Sequence, residues 1–128
     1  MNVHGELTFE WLNNVLYVRT FGPFNEEGIV KAANAYSNCL SQHAKAHYAI
    51  IEIWDNDSLG SPEVMAMVAD FWTNHLQDNC TAIAIVVSNS LQLALCQKLL
   101  PPSGSSFGNV ADAELWVNRM LIPNNNNE

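Results

Sequence analysis

Two short segments of the chain are almost entirely apolar, and they constrain the fold more than any other feature. They are residues 48–54 (YAIIEIW) and residues 81–88 (TAIAIVVS). Runs of this length are typical of central strands that are covered on both faces, as in a parallel or mixed sheet. Glu52 is the only charged residue in either run. Because a buried charge is costly unless it is paired, we expect Glu52 to pair with Arg19 of a neighbouring strand.

A hairpin is predicted ahead of the first apolar run. Residues 6–11 (ELTFEW) alternate between polar and apolar types, and residues 15–21 (VLYVRTF) are rich in β-branched and aromatic types. Asn13 and Asn14 lie between these segments and suit a tight turn. The dipeptide that follows residue 21, Gly-Pro, ends the second strand.

Helical periodicity follows the hairpin and separates the later strands. The first predicted helix runs from about Glu26 to Gln42, the third occupies residues 90–100, and a short edge strand contains Phe107. The predicted N-terminal caps of the first, second and last helices are Asn25, Ser61 and Asn109.

The predicted order of elements is β-β-α-β-α-β-α-(β)-α, with the short strand in brackets. Strands separated by helices of this length make right-handed crossovers onto one sheet. We therefore predict a single α/β domain over residues 1–123, with helices packed on a mixed sheet. Residues 124–128 are predicted to form a disordered polar tail.

Charge and composition narrow the classes of partner. Thirteen acidic residues against five basic ones give a net charge of −8, which disfavours nucleic acid and anionic membrane surfaces. No apolar run approaches the roughly 20 residues that a membrane span needs, and no secretory leader is visible, so we expect a cytoplasmic protein. An unknown protein or a small molecule is the expected partner, and a homodimer is compatible with the sequence. Cys39, Cys80 and Cys96 are expected to be free, buried thiols.

Three segments resemble the STAS and SpoIIAA-like domains. Residues 21–25 (FGPFN) are similar to the Gly-x-Phe or Gly-x-Leu step that follows the second strand in that family. Residues 50–53 (IIEI) resemble its central strand, which commonly carries one acid, and residues 107–117 (FGNVADAELWV) resemble its closing helix. The resemblance implies a SpoIIAA-like (STAS-like) mixed sheet and a regulatory or binding role. The family includes anti-sigma factor antagonists, sulfate-transporter tails and small-ligand sensors.

The start of the second helix departs from the pattern of the anti-sigma factor antagonists. Those proteins carry Asp-Ser-Ser-Gly there, with one serine as a phosphorylation switch, whereas this chain has LGSPE at residues 59–63. Ser61 lies at the helix start without the surrounding motif, and a phosphate there would meet like charge from Glu63 and Asp57. We expect Ser61 to act as an ordinary helix cap.

The best-placed candidate site is the polar loop that follows the first apolar strand. In open α/β sheets, ligands bind beyond the carboxyl ends of the strands. We therefore expect a ligand or partner surface there, with no catalytic residue, no metal ligand set and no cofactor assigned. The residues predicted to form this surface are Phe21, Phe24, Asn25, Trp54, Asp55, Asp57, Ser58, Ser61 and Asn89.

Three functional hypotheses remain open at this point, and a non-enzymatic regulatory or binding module comes first. Asp55 and Asp57 are spaced to hold a hard cation, which leaves a metal-assisted hydrolase as an alternative. The phosphatases that use Asp-x-Asp after a strand also need a lysine and further acids downstream, and Lys98 is the only later lysine. An apolar-ligand carrier is the other alternative, because SpoIIAA-like and lipid-carrying SEC14-type folds look related. Lipid that co-purifies with the protein would favour that carrier, and the most useful structural observation is whether a cavity or a flat apolar patch adjoins Trp54.

Overall fold

The computed structural model describes residues 3–43, 47–76 and 79–122. The tail predicted at 124–128 lies outside the described residues. Five strands and four helices occur in the predicted order, and the short strand before the last helix is present. They are β1 (Glu6–Leu12), β2 (Val15–Phe21), α1 (Glu26–His43), β3 (Tyr48–Trp54), α2 (Pro62–His75), β4 (Cys80–Val86), α3 (Ser90–Leu99), β5 (Gly104–Phe107) and α4 (Val110–Leu121).

The five strands form one sheet in which the spatial order follows the chain order, β1-β2-β3-β4-β5. β1 and β2 pair antiparallel, and the remaining neighbours are parallel. Asn13 makes the hairpin turn with φ of 56°, a left-handed conformation that asparagine tolerates. Since each new strand joins the same side of the growing sheet, the crossover helices α1, α2 and α3 all pack on one face. The strand order never reverses, so the crevice that such a reversal opens in other α/β sheets is missing here.

The face covered by α1, α2 and α3, here the three-helix face, buries large side chains. β2, β3 and β4 contribute branched aliphatic residues to it, and the helices contribute aromatic and sulfur-containing residues. Members of this core include Leu16, Val18, Tyr48, Ile50, Trp54, Ile83 and Ile85 from the strands, and Tyr36, Leu40, Met65, Phe71, Trp72 and Cys96 from the helices.

The opposite face, here the α4 face, buries smaller side chains. Its core combines several alanines with Val15, Ile51, Val86 and Val117. Ala113 on α4 is fully buried against the sheet, which allows the helix backbone to approach closely. The buried alanines of this face are Ala49, Ala82, Ala84 and Ala113.

Side-chain caps fix where the helices begin. The Asn25 side chain accepts a hydrogen bond from Gly28 N at 2.8 Å, and Ser61 Oγ accepts one from Val64 N at 3.2 Å. These bonds satisfy backbone donors that have no partner within the helix. The caps predicted at Asn25, Ser61 and Asn109 are therefore confirmed, and Asn89 caps α3 in the same way. The three cysteines are free, as predicted; two of them are buried and Cys39 is half-buried.

Candidate functional site

A cavity of about 200 Å³ lies between α1, α2 and the three-helix face of the sheet. Its walls are almost entirely apolar, and several of its lining side chains are aromatic or methionine. Val30 and Asn34 of α1 are exposed, so the opening to solvent runs along that helix. The lining consists of Leu7, Thr20, Phe24, Ile29, Val30, Ala32, Ala33, Asn34, Tyr36, Glu52, Trp54, Ser58, Leu59, Val64, Met65, Met67, Val68, Phe71 and Trp72.

Glu52 is the one carboxylic acid in this lining, and only 4% of its surface is exposed. Tyr36 Oη donates a hydrogen bond to its Oε1 at 2.9 Å, and Trp54 Nε1 donates to its Oε2 at 2.6 Å. The Trp72 side chain from α2 makes a further hydrogen bond to this carboxyl group. All three partners are uncharged, and no cation is among the described residues that bond to this acid.

Burial decides the protonation of Glu52. Removal from water raises its pKa above the ordinary value of 4.5, and the hydrogen bonds from Trp54, Tyr36 and Trp72 lower it only in part. The pKa of Tyr36 is also raised, first by burial and then by the neighbouring Glu52 carboxyl. Proton loss from Glu52 is therefore disfavoured in the folded protein.

The predicted pairing of Glu52 with Arg19 is wrong. In the parallel register of β2 and β3, Val18 lies opposite Glu52 and Arg19 lies opposite Ile53. Side chains alternate between the faces of a sheet, so Arg19 projects on the α4 face, where it is exposed. Among the described residues that line the cavity, none is lysine, arginine or histidine.

Two pairs of aromatic rings make part of the cavity wall rigid. Trp54 and Trp72 stack with ring centroids 6.4 Å apart and planes 15° apart. Tyr36 and Phe71 pack with centroids 4.7 Å apart. Tyr36, Trp54 and Trp72 also form hydrogen bonds to Glu52. The positions of these three rings and of the Glu52 carboxyl group therefore depend on each other.

Asp55 organises the loop that follows β3. Its Oδ1 accepts hydrogen bonds from Gly22 N at 3.3 Å, Asp57 N at 3.0 Å and Ser58 Oγ at 2.6 Å. A side chain at Gly22 would not fit, because its Cβ would lie 2.6 Å from the Asp57 carbonyl oxygen. Thr20 Oγ1 donates to the buried Ser58 Oγ at 2.7 Å, which anchors the loop to β2.

The metal-site interpretation of this loop gains no support from its geometry. The Oδ1 atom of Asp55 already accepts three hydrogen bonds from Gly22 and from the loop, and the Asp57 side chain is exposed. Over residues 3–43, 47–76 and 79–122, no group of three metal-ligating side chains comes together.

The carboxyl ends of β3 and β4 are joined by side-chain bonds. Gln92, which is fully buried, donates from Nε2 to the Asp55 carbonyl oxygen at 2.7 Å and accepts from Ser88 N at 2.7 Å. Asn89 Nδ2 donates to Asn56 Oδ1 at 3.0 Å. The space beyond these strand ends is therefore filled by the protein's own polar groups, and the open volume lies on the three-helix face.

The predicted surface residues divide into two groups. Phe24, Trp54 and Ser58 line the cavity. The other six do not line it. Four of them cap a helix or anchor the loop after β3, and the remaining two, Asp57 and Phe21, are exposed. The residues outside the lining are Phe21, Asn25, Asp55, Asp57, Ser61 and Asn89.

Sequence reasoning missed the helical half of the site. Helical spacing places Tyr36 and Trp72 only among the buried residues of amphipathic helices. One available signal was the spacing of Glu52 and Trp54, because residues two apart on a strand share a face. An acid and an indole on the core face of a central strand indicate a hydrogen-bonded pair inside the protein.

Comparison with known proteins identifies the fold. No protein-family model matches the chain, and no curated protein matches it. A crystal structure of an anti-sigma factor antagonist from Mycobacterium paratuberculosis superposes with a TM-score of 0.64 and 10% identity, over 89% of this chain and 94% of that one. The crystal structure of an uncharacterized DUF3478-family protein with a SpoIIAA-like fold, from Shewanella loihica PV-4, gives a TM-score of 0.62 and 18% identity, over 91% of this chain and 97% of that one.

The chain therefore has the SpoIIAA-like (STAS-like) fold, and the fold predicted from the sequence is confirmed. Of the helices described, none has the length and apolar character needed to cross a membrane.

Proposed function

We propose that this protein is a non-enzymatic binding module that takes up a small, largely apolar ligand between α1 and α2. The observation that carries the proposal is the cavity of about 200 Å³ beside Trp54. Interiors are normally packed to the density of organic crystals, with few voids larger than a water molecule. An apolar cavity of about 150 Å³ binds benzene, so a space of this size and lining suits a small organic molecule.

The character of the lining supports binding rather than catalysis. It is rich in apolar side chains, and the one acid is held by three neutral donors in a rigid aromatic frame. Binding sites for small molecules are commonly concave and apolar, with a few polar groups that fix orientation. Glu52 would orient the ligand, and the aromatic rings would supply most of the contact area.

The position of the cavity supports a regulatory role for the module. Its opening lies along α1, where Val30 is half-exposed. A ligand that contacts both α1 and α2 would change how these two helices pack, and their outer surface is available to a protein partner. One protein of the same fold is named an anti-sigma factor antagonist, which supports a protein partner of this kind.

Binding of a neutral probe tests the proposal. We expect 2-phenylethanol to change the intrinsic fluorescence, because Trp54 and Trp72 form part of the cavity wall. Ala33→Leu should abolish this change by filling the cavity, since Ala33 lines it. Ala35→Leu is the matched control, because Ala35 lies on the same helix but is exposed. Equal responses from both variants, or no saturable response in the unmodified protein, would contradict the proposal.

A further inference from the structure

The chemistry of the cavity also points to the class of ligand, an inference that rests on the proposed function and deepens it. We propose that the ligand is an amine with an apolar body, whose ammonium group binds the Glu52 carboxylate inside the cavity.

Charge complementarity is the first argument. Among the described lining residues, Glu52 is the only one with a carboxyl group, and none can supply a positive charge. Its hydrogen-bond partners Tyr36, Trp54 and Trp72 are neutral. An ionised carboxylate in an apolar site requires a charged partner, and here that partner has to arrive with the ligand.

Hydrogen-bonding capacity is the second argument. A carboxylate offers about four acceptor positions, and three donors of the protein bond to Glu52. Since Glu52 also lines the cavity, its remaining capacity is available to a donor there. An ammonium group has only donors, so it matches this site. A ligand carboxylate would be repelled by Glu52, and a divalent cation would find no second carboxylate among the described lining residues.

The groups around Glu52 determine how binding depends on pH. Tyr36 faces it from α1, Trp72 from α2 and Cys96 from α3, while its strand neighbours Val18 and Ile85 are apolar. None of these groups is a cation. Burial keeps Glu52 protonated to a higher pH than an exposed glutamate, so an ammonium ligand displaces that proton into solvent and an ion pair forms in its place.

A matched series of three probes tests the inference: 2-phenylethylamine, 2-phenylethanol and phenylacetate. At neutral pH these share a ring and a short chain but end in a cation, a neutral hydroxyl and an anion. We expect the amine to bind at least about tenfold more tightly than the alcohol, as for a hydrogen bond to a charged group, and phenylacetate not to bind. Tryptophan fluorescence measures all three affinities.

The variant Glu52→Gln keeps the size of the side chain and removes its charge. We expect its affinity for 2-phenylethylamine to fall at least about tenfold, and its affinity for 2-phenylethanol to fall by a smaller factor, because only the amine loses an ion pair. Retained binding of the alcohol would also show that the cavity of the variant is folded.

Calorimetry on the unmodified protein gives a second measurement that needs no variant. Titration of 2-phenylethylamine at a series of pH values from about 4.5 upward, each in two buffers of different ionisation enthalpy, should show net release of protons where the free protein still holds the Glu52 proton. Equal affinities for amine and alcohol, or no proton release at any pH of the series, would overturn the amine inference and leave the apolar cavity site standing. Failure of all three probes to bind would overturn the proposed function as well.

Discussion

The two faces of the sheet are built from the same strands, but the side chains buried on one face are larger than those buried on the other. On the three-helix face, β4 presents Ile83 and Ile85 to helices that carry large aromatic rings. On the α4 face, the same strand presents Ala82 and Ala84 to a single helix. Large rigid side chains cannot fill every gap between three helices and a sheet, whereas small ones allow one helix to pack closely. The alternation of alanine and isoleucine along β4 therefore gives one face with large buried side chains and one face with close packing, and the cavity lies on the first of these, where β1, β2 and β3 meet α1 and α2.

Removal of one tryptophan from each face tests this comparison with the largest expected effect. Trp72→Ala should lower the free energy of unfolding by about 3–5 kcal/mol, because the side chain is fully buried and bonds to Glu52. Trp116→Ala should cost less than half of that, since Trp116 is half-buried and packs on Phe107 at the edge of the α4 face. Urea denaturation measures both. Equal losses would show that the faces do not differ in this way.

Replacement of one alanine by leucine on each face should have the next largest effect on stability. Ala113→Leu should destabilise the protein by about 1–3 kcal/mol, because fully buried Ala113 has no room for a larger group. Ala33→Leu should stabilise it by up to about 1 kcal/mol, because the new methyl groups fill the cavity. Thermal denaturation of the two variants compares them directly. A larger loss from Ala33→Leu than from Ala113→Leu would contradict the assignment of the cavity.

Dependence of stability on pH should come from the three-helix face. The pKa of Glu52 is raised above 4.5 in the folded state by burial, so the folded protein keeps a proton that the unfolded chain loses. The free energy of unfolding should therefore fall as pH rises from about 4.5 through the raised pKa, and change little above it. Denaturation by urea across this range should show the fall in the unmodified protein and not in Glu52→Gln. The control is Glu114→Gln on α4, which should retain the fall.

The smallest expected effects concern the helix caps, one for each face. Ser61→Ala and Asn109→Ala should each cost about 1 kcal/mol, because each removes a side-chain acceptor for a backbone amide at a helix start. Binding of 2-phenylethanol should remain unchanged in both, since neither residue lines the cavity. Loss of binding in Ser61→Ala alone would mean that the Ser61 cap itself belongs to the site.

Much of the fold could be predicted from the sequence because local patterns determine it. The apolar runs identified β3 and β4, and the polar caps identified where α1, α2 and α4 begin. The pairing of Glu52 could not be predicted, since it depends on the register between β2 and β3. Register is normally read from the alternation of polar and apolar residues, and β3 (YAIIEIW) is apolar on both faces, so its sequence does not show which face Glu52 shares with β2.

The cavity could not be predicted for a different reason. Its volume depends on how closely Tyr36 of α1, Trp54 of β3 and Trp72 of α2 approach one another. Gaps between side chains of different elements cannot be read from a sequence pattern. The prediction of a site beyond the strand ends rested on α/β sheets whose strand order reverses. In this sheet the order is sequential, and Gln92 and Asp55 fill the corresponding space.

The sequential order of strands has a consequence for synthesis of the protein on the ribosome. Chains are made from the N-terminus, and here each strand joins a neighbour that has already been translated. Every described residue of the cavity wall lies between Leu7 and Trp72, so this wall is translated before β4, α3, β5 and α4. β4 and α3 complete the core behind that wall, so a ligand that binds only the folded pocket would stabilise the new domain once these two elements have joined it, before α4 is in place.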